Sequence, residues 1–203
     1  MHIKTLTVGP IETNCYIVSD EETKECAVID PGAEAAVILD YIESAALRCR
    51  CVFLTHAHHD HTGAVDEVLE DTGAVLYMSA KDNGVPISFN GDSYAAPEGT
   101  RFYGEGDEVA VSSLRFRVME TPGHTPGSVC LICLDALFTG DTLFRDSCGR
   151  TDFAASNTDD MLRSLRRLAE LPGDYEVFPG HMSATTMERE RRYNYFVLSA
   201  VQR

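Results

Sequence analysis

Histidine is concentrated at one place in this 203-residue chain: four of its seven histidines fall within Thr55-His56-Ala57-His58-His59-Asp60-His61. A neutral imidazole offers a lone pair to a metal ion and a carboxylate offers charge, so this composition points to metal coordination. In an extended loop, residues two apart project to one side, which lets His56 and His58 grip one ion. The chain then turns, and Asp60 and His61 face a second. His59 lies between these ligands and cannot point with them. The cluster contains no Cys, which argues against a closed structural zinc site.

Three more polar residues each stand in a Gly-flanked turn after a strand-like run: His124 in Pro122-Gly123-His124, Asp141 in Thr139-Gly140-Asp141-Thr142, and His181 in Pro179-Gly180-His181. Together they supply the ligands missing from the first cluster. Asp141 has two oxygens and can bridge. The expected sets are His56, His58, His124 and Asp141 on one ion, and Asp60, His61, His181 and Asp141 on the other, each with room for a shared water. The expected cofactor is two divalent metal ions, zinc first, with iron or manganese suited to the same donors.

These residues need elements to bring them to a common edge. Pro10 to Val18 and Glu25 to Ile29 read as a strand hairpin ended by Asp30-Pro31-Gly32, and His2 goes with the first strand. Ala33 to Ala46 has helical spacing, Cys51 to Leu54 suits a buried strand, Gly63 to Glu70 a helix and Ala74 to Met78 a strand. Lys81 to Gly106 is turn-rich; with Phe89, Tyr94, Phe102 and Tyr103 it is a candidate to overhang the site and choose substrate. Strands follow at Glu108 to Val111, Leu114 to Glu120, Ser128 to Leu134 and Ala136 to Thr139. A helix capped by Asn157 or Thr158 ends at Pro172-Gly173, then come a strand from Tyr175 to Phe178 and a last helix from Thr185 to Ala200. Strand and helix units, twice over, predict an α/β fold of two sheets sandwiched between helices, with residues 1–203 forming one domain.

Composition narrows the function. The 17 Lys and Arg against 32 Asp and Glu give a net charge of −15, which repels phosphate backbones and anionic membrane surfaces, so neither nucleic acid nor membrane is an expected partner. Seven cysteines, several in apolar strand-like runs, suit a reducing cytoplasm. Cys130 and Cys133 have redox or zinc spacing but sit inside a strand, where core packing is the expected role. Cys148, in a Gly-containing loop with no base beside it in sequence, reads as an inert thiol.

The His-x-His-x-Asp-His stretch at His56 to His61, followed by His124, Asp141 and His181, resembles the metallo-β-lactamase-fold hydrolases. The likeness covers nearly the whole chain, including Asp30-Pro31-Gly32, and implies the αββα four-layer sandwich with metals at the edge between two mixed sheets. Gly140-Asp141-Thr142-Leu143-Phe144 followed by Cys148-Gly149-Arg150 resembles the glyoxalase II-like branch (hydroxyacylglutathione hydrolases), especially its short bacterial forms. Full-length glyoxalase II enzymes append a helical domain that helps hold glutathione, whereas this chain ends soon after its last helix. Where those enzymes carry Lys and an aromatic residue after Cys-Gly, this chain has Arg150-Thr151-Asp152-Phe153. Arg150, with Phe153 beside it, is a candidate substrate contact able to clamp a carboxylate, or else a partner in a structural ion pair with a nearby Asp. Asn194-Tyr195-Phe196 stands where relatives often carry Asn-Pro.

The activity this implies is metal-dependent hydrolysis of a small-molecule thioester such as S-lactoylglutathione. Water shared by two divalent ions loses a proton near neutral pH, Asp60 orients the resulting nucleophile, and Asp141 holds the ions together. An iron-dependent persulfide dioxygenase, a hydrolase of another ester or lactone, and a non-catalytic metal-binding module are the alternatives. A β-lactamase is disfavoured by Asp141 where the main lactam-cleaving classes carry Cys, and a ribonuclease by the acidic charge.

Overall fold

The computed structural model describes residues 1–87 and 90–202. The chain opens with β1 (His2–Val8), β2 (Thr13–Ser19) and β3 (Glu25–Ile29), followed by α1 (Ala35–Ser44), β4 (Arg48–Phe53), α2 (His59–Thr62), α3 (Val65–Thr72), β5 (Val75–Ser79) and β6 (Arg101–Tyr103). These six strands pair in chain order, antiparallel through β3 and parallel from β3 to β6. A second sheet is built from β7 (Glu108–Val111), β8 (Leu114–Glu120), β9 (Val129–Cys133) and β10 (Ala136–Gly140). A small hairpin, β11 (Leu143–Phe144) with β12 (Ser147–Cys148), precedes α4 (Thr158–Ala169), β13 (Glu176–Pro179), β14 (Thr185–Thr186), α5 (Met187–Tyr193) and α6 (Tyr195–Gln202). The second sheet runs β14-β13-β10-β9-β8-β7, with β10 and β13 parallel.

Strand alternation explains the layering. In β2, Cys15 and Ile17 turn toward the helices while Tyr16 and Val18 turn toward the other sheet, and all seven residues are buried. Between the sheets, Phe53 meets Phe116 at 5.0 Å and Tyr16 meets Phe138 at 5.3 Å between ring centroids. On the outer face of the first sheet, Ile38, Ile42, Val65 and Val68 of α1 and α3 close one core; Met161, Leu165, Leu168 and Val197 close another behind the second sheet. The result is the expected αββα sandwich of two mixed sheets flanked by helices. Among the described residues no helix is long and apolar enough to cross a membrane.

Four local expectations are corrected. The first strand is two, because Gly9 and Glu12 take left-handed backbone (φ 71° and 59°) and fold β1 back on β2. The turn-rich segment contributes β6, whose Tyr103 packs between the sheets. Within that segment Phe102 is half exposed, and Tyr94 packs against the first core while lining a small cavity beside His58 and His59; Phe89 lies outside the described residues. The last helix is broken at Asn194, which has extended backbone (ψ 114°). Asn157 caps α4 as expected, its side chain accepting from the Asp160 N–H, and Cys130 and Cys133 are core residues.

Candidate metal centre

The histidine run begins where β4 ends. His58 retains extended backbone (φ −66°, ψ 150°), and the single turn α2 starts at His59, so the chain changes direction between the first pair of side chains and the second. The His56 and His58 rings lie 4.8 Å apart, while His59 points to solvent. The turn after β8 brings His124, whose Nε2 is 2.9 Å from His58 Nδ1. The turn after β10 brings Asp141, and the turn after β13 brings His181. Three sets of potential ligand atoms lie within 4.8 Å of one another: His56, His58 and His124; Asp60, His61 and His181; and His56, His61 and Asp141. Asp141 spans the first two groups, with Oδ1 3.5 Å from His61 Nε2 and Oδ2 3.5 Å from His124 Nε2 and 3.6 Å from His181 Nε2.

Each ring is held from behind. His58 Nε2 bonds the Ile87 carbonyl (3.0 Å), His124 Nδ1 the Arg150 carbonyl (2.8 Å) and His181 Nδ1 the Ile11 carbonyl (3.2 Å). A carbonyl only accepts, so each of these nitrogens carries the proton and the other ring nitrogen presents its lone pair inward. His56 Nδ1 lies 3.2 Å from Thr55 Oγ1, and His61 Nδ1 lies 3.0 Å from Asp30 Oδ2. Asp30 also accepts from the Thr55 N–H and hydroxyl, both at 2.7 Å, fixing the start of the histidine loop to the end of β3. Asp82, fully buried, accepts from the Ala57 N–H, the Thr125 hydroxyl and the Gly127 N–H, tying that loop to the one carrying His124. Sequence reasoning assigned Asp30 no part at the centre and overlooked Asp82. Asp30-Pro31-Gly32 at a strand end was the only signal for the first, and Asp82 carried none.

Glycine is required where the turns meet. A Cβ on Gly180 would lie 2.3 Å from Asp141 Oδ1 and 2.8 Å from His61 Cε1, and one on Gly32 would lie 1.6 Å from the Asp60 carbonyl oxygen.

The electrostatics match a cation site. Burial, then the neighbouring imidazoles, pushes His56 well below the usual histidine range and His58 down to about 4, leaving both neutral with lone pairs available. Burial raises the Asp60 and Asp141 carboxyls, but their histidine neighbours outweigh it and hold both below the ordinary range. His61 is driven well above its ordinary value because Asp30 and Asp141 overcome the burial penalty. A divalent ion would satisfy the same carboxylates and displace those protons. Among the described residues His56 Nε2, His61 Nε2 and Asp141 Oδ1 are buried without a hydrogen-bond partner, a costly state that a bound cation relieves. The residues therefore fit divalent metal.

The centre opens into a cleft of about 650 Å³. At one end Phe153 packs on His58 and His124, with ring centroids 4.8 and 5.5 Å away, and the Arg150 guanidinium lies 4.9 Å over the Phe153 ring. Arg150 also forms a two-pronged pair with Asp152 (2.6 and 2.7 Å), so the structural ion pair is real and occupies a cleft-lining residue. At the other end stand Ile11, Phe144 and Met182. Cys148 also lines the cleft, its thiol pushed up to about 11 by burial and thus unreactive as a nucleophile near neutral pH. Among the described residues of the turn-rich segment, Asn90 and Asp92 reach the cleft.

Comparison with known proteins agrees with this architecture. The family model described as the metallo-beta-lactamase superfamily matches residues 8–181. The chain is 32% identical to a Haemophilus influenzae protein named hydroxyacylglutathione hydrolase GloC, with 98% of this chain and 99% of that protein covered. Among solved structures it is similar to the BLEG-1 B3 metallo-beta-lactamase (TM-score 0.89, 31% identity, 97% of this chain and 99% of that one). It is also similar to TTHA1623 in a di-iron-bound form (TM-score 0.83, 32% identity, 95% and 99%). Two mixed sheets between helices, a ligand cluster at their common edge and near full-length similarity lead to one conclusion: the chain belongs to the metallo-beta-lactamase superfamily.

Proposed function

We propose that this metal-dependent hydrolase is a thioesterase of the glyoxalase II type, cleaving a small-molecule thioester such as S-lactoylglutathione at a binuclear centre. Zinc is the proposed native metal, with iron and manganese accepted by the same donors. One observation carries the reading: two groups of buried ligand atoms, joined by Asp141, open on a single cleft. The name of the Haemophilus influenzae relative supports a thioester of glutathione as the first substrate to try.

Divalent metal held by these residues would supply a water of lowered pKa and a Lewis acid for a carbonyl oxygen. The chain's own residues do the remaining work. His56, His58 and His124 form one ligand set and Asp60, His61 and His181 the other, with Asp141 common to both. Asp60, fixed by a 3.1 Å bond from the Thr13 hydroxyl, orients the attacking oxygen. Arg150, stacked on Phe153 at the mouth, exchanges its Asp152 partner for a carboxylate of the substrate, while Phe153 screens His58 and His124 from water. No nucleic acid or membrane takes part, and the buried thiols suit work in the cytoplasm.

The test is thiol release from S-lactoylglutathione by protein reconstituted separately with zinc, manganese and iron, beside a chelated control, with metal content measured. Two ions per chain and metal-dependent release are expected. Turnover of the lactam nitrocefin above that of any thioester, the outcome suggested by the likeness to BLEG-1, would overturn the thioesterase reading. One iron per chain with oxygen uptake on a persulfide substrate would assign a dioxygenase instead.

A further inference from the structure

The two ends of the cleft differ in chemistry. Around His58 and His124 stand an aromatic ring and a guanidinium already paired with a carboxylate. Around His181, beyond the ligand groups Asp60, His61 and Asp141, stand three apolar residues: Ile11, whose carbonyl accepts from His181 Nδ1, Phe144, whose ring meets the His181 ring edge-on at 6.1 Å, and Met182, the next residue. Ile11 is 53% and Met182 58% exposed. Single exposed hydrophobics are ordinary, but these two converge with Phe144 on one end of one cleft. Met182 also adopts left-handed backbone (φ 69°), a conformation a thioether side chain rarely takes, and its carbonyl is held there by the Asn14 side-chain amide at 2.8 Å. The same Asn14 amide bonds the Pro179 carbonyl, so the strained residue is clamped to the strand end that carries His181. A flexible Met beside a branched aliphatic residue and a ring forms a surface that adapts to unbranched hydrocarbon.

We infer that Ile11, Phe144 and Met182 form an apolar subsite that takes an uncharged aliphatic arm of the substrate, so that within one thioester series the centre favours a butanoyl-to-hexanoyl-sized chain over acetyl. The inference deepens the thioesterase reading and rests on it for the reaction, though not for the binding. The arm enters beside His181, and the polar remainder of the substrate lies toward Arg150.

The experiment measures kcat/KM of the zinc-loaded protein on N-acetylcysteamine thioesters from acetyl to hexanoyl, and on S-alkyl thioacetates from ethyl to hexyl. Calorimetry of straight-chain carboxylates from acetate to hexanoate on the same protein provides a readout independent of turnover. In one thioester series and in the calorimetric series, kcat/KM or affinity is expected to rise about two- to fourfold per added methylene. Ile11→Ala and Met182→Ala should each reduce that increment to less than half, Ile11→Leu should keep it, and Val37→Ala, at an exposed apolar position on α1, should not change it. A flat profile in the calorimetric series, or variants as chain-selective as the parent, would overturn the subsite. Absence of thioester turnover with a rising affinity series would sink the thioesterase reading and leave the subsite standing.

Discussion

Asp141 is the residue on which both ligand groups depend, for its carboxylate reaches His124 of one group and His61 and His181 of the other at 3.5 to 3.6 Å. Asp141→Ala should lower bound metal measured by atomic emission and abolish hydrolysis while circular dichroism stays close to that of the parent. Asp30 acts one layer further out. Its replacement by Ala strands the Thr55 N–H and hydroxyl and frees the His61 ring, so a stability loss of about 1–3 kcal/mol is expected in chemical denaturation. Metal affinity should fall about 10- to 100-fold in the same variant, read by competition with a chromophoric chelator. The difference between these residues explains what the sequence could reveal. His56, His58, Asp60, His61, His124, Asp141 and His181 are legible because donor atoms of one chemical type recur at short spacing or in Gly-flanked turns. Asp30 and Asp82 bind backbone amides and hydroxyls from remote loops, and no pattern in their own neighbourhoods encodes those partners.

At the scale of elements, the wall of the cleft hangs on Asn194. Its side-chain amide donates to the carbonyls of Phe144 and Ser147 in the β11–β12 hairpin and to the Glu190 carboxylate, and its oxygen accepts from the Phe196 and Val197 N–H groups at the start of α6. Glu190, fully buried, accepts from the Asp146 N–H in the same hairpin and from the Thr185 hydroxyl. This is why one continuous apolar pattern from Thr185 to Ala200 becomes two helices: the side chain of Asn194 satisfies the new helix start and the hairpin together. Apolar periodicity reports which face is buried and carries no information about such a break. Asn194→Ala should cost about 2–4 kcal/mol in urea denaturation, from the lost cap and the unpaired carbonyls it leaves behind. Hydrogen exchange should rise first in Leu143 to Cys148. The long strands and the capped α4 were readable from alternation and capping chemistry, whereas β11 and β12, two residues each, are too short to have a period.

Across the whole molecule the two sheets are joined at the end away from the metal centre by Asp20, which accepts from the Ser113 N–H (3.2 Å) and hydroxyl (2.6 Å) in the β7–β8 turn. Together with the Thr23 and Glu22 N–H groups, these donors hold the Asp20 carboxyl well below the usual carboxylate range. A group depressed in the folded state contributes stability above its unfolded value of about 3.9, and that contribution is lost as pH falls below it. Asp20→Asn should therefore be less stable than the parent at neutral pH, and the gap should narrow in melts recorded at progressively lower pH below about 4. At the opposite end, the Asn14 backbone N–H donates to the Gly180 carbonyl and its side-chain amide to the Pro179 carbonyl, so the centre closes only when segments 165 residues apart in sequence meet. Biosynthesis runs in that order. His56 and His58 leave the ribosome roughly 6–25 s before His181 at ordinary rates of elongation. The nascent chain thus carries an exposed, half-built chelator throughout the second half of its own translation. The complete ligand set therefore exists only once the segment that carries His181 has been made and has met Asn14.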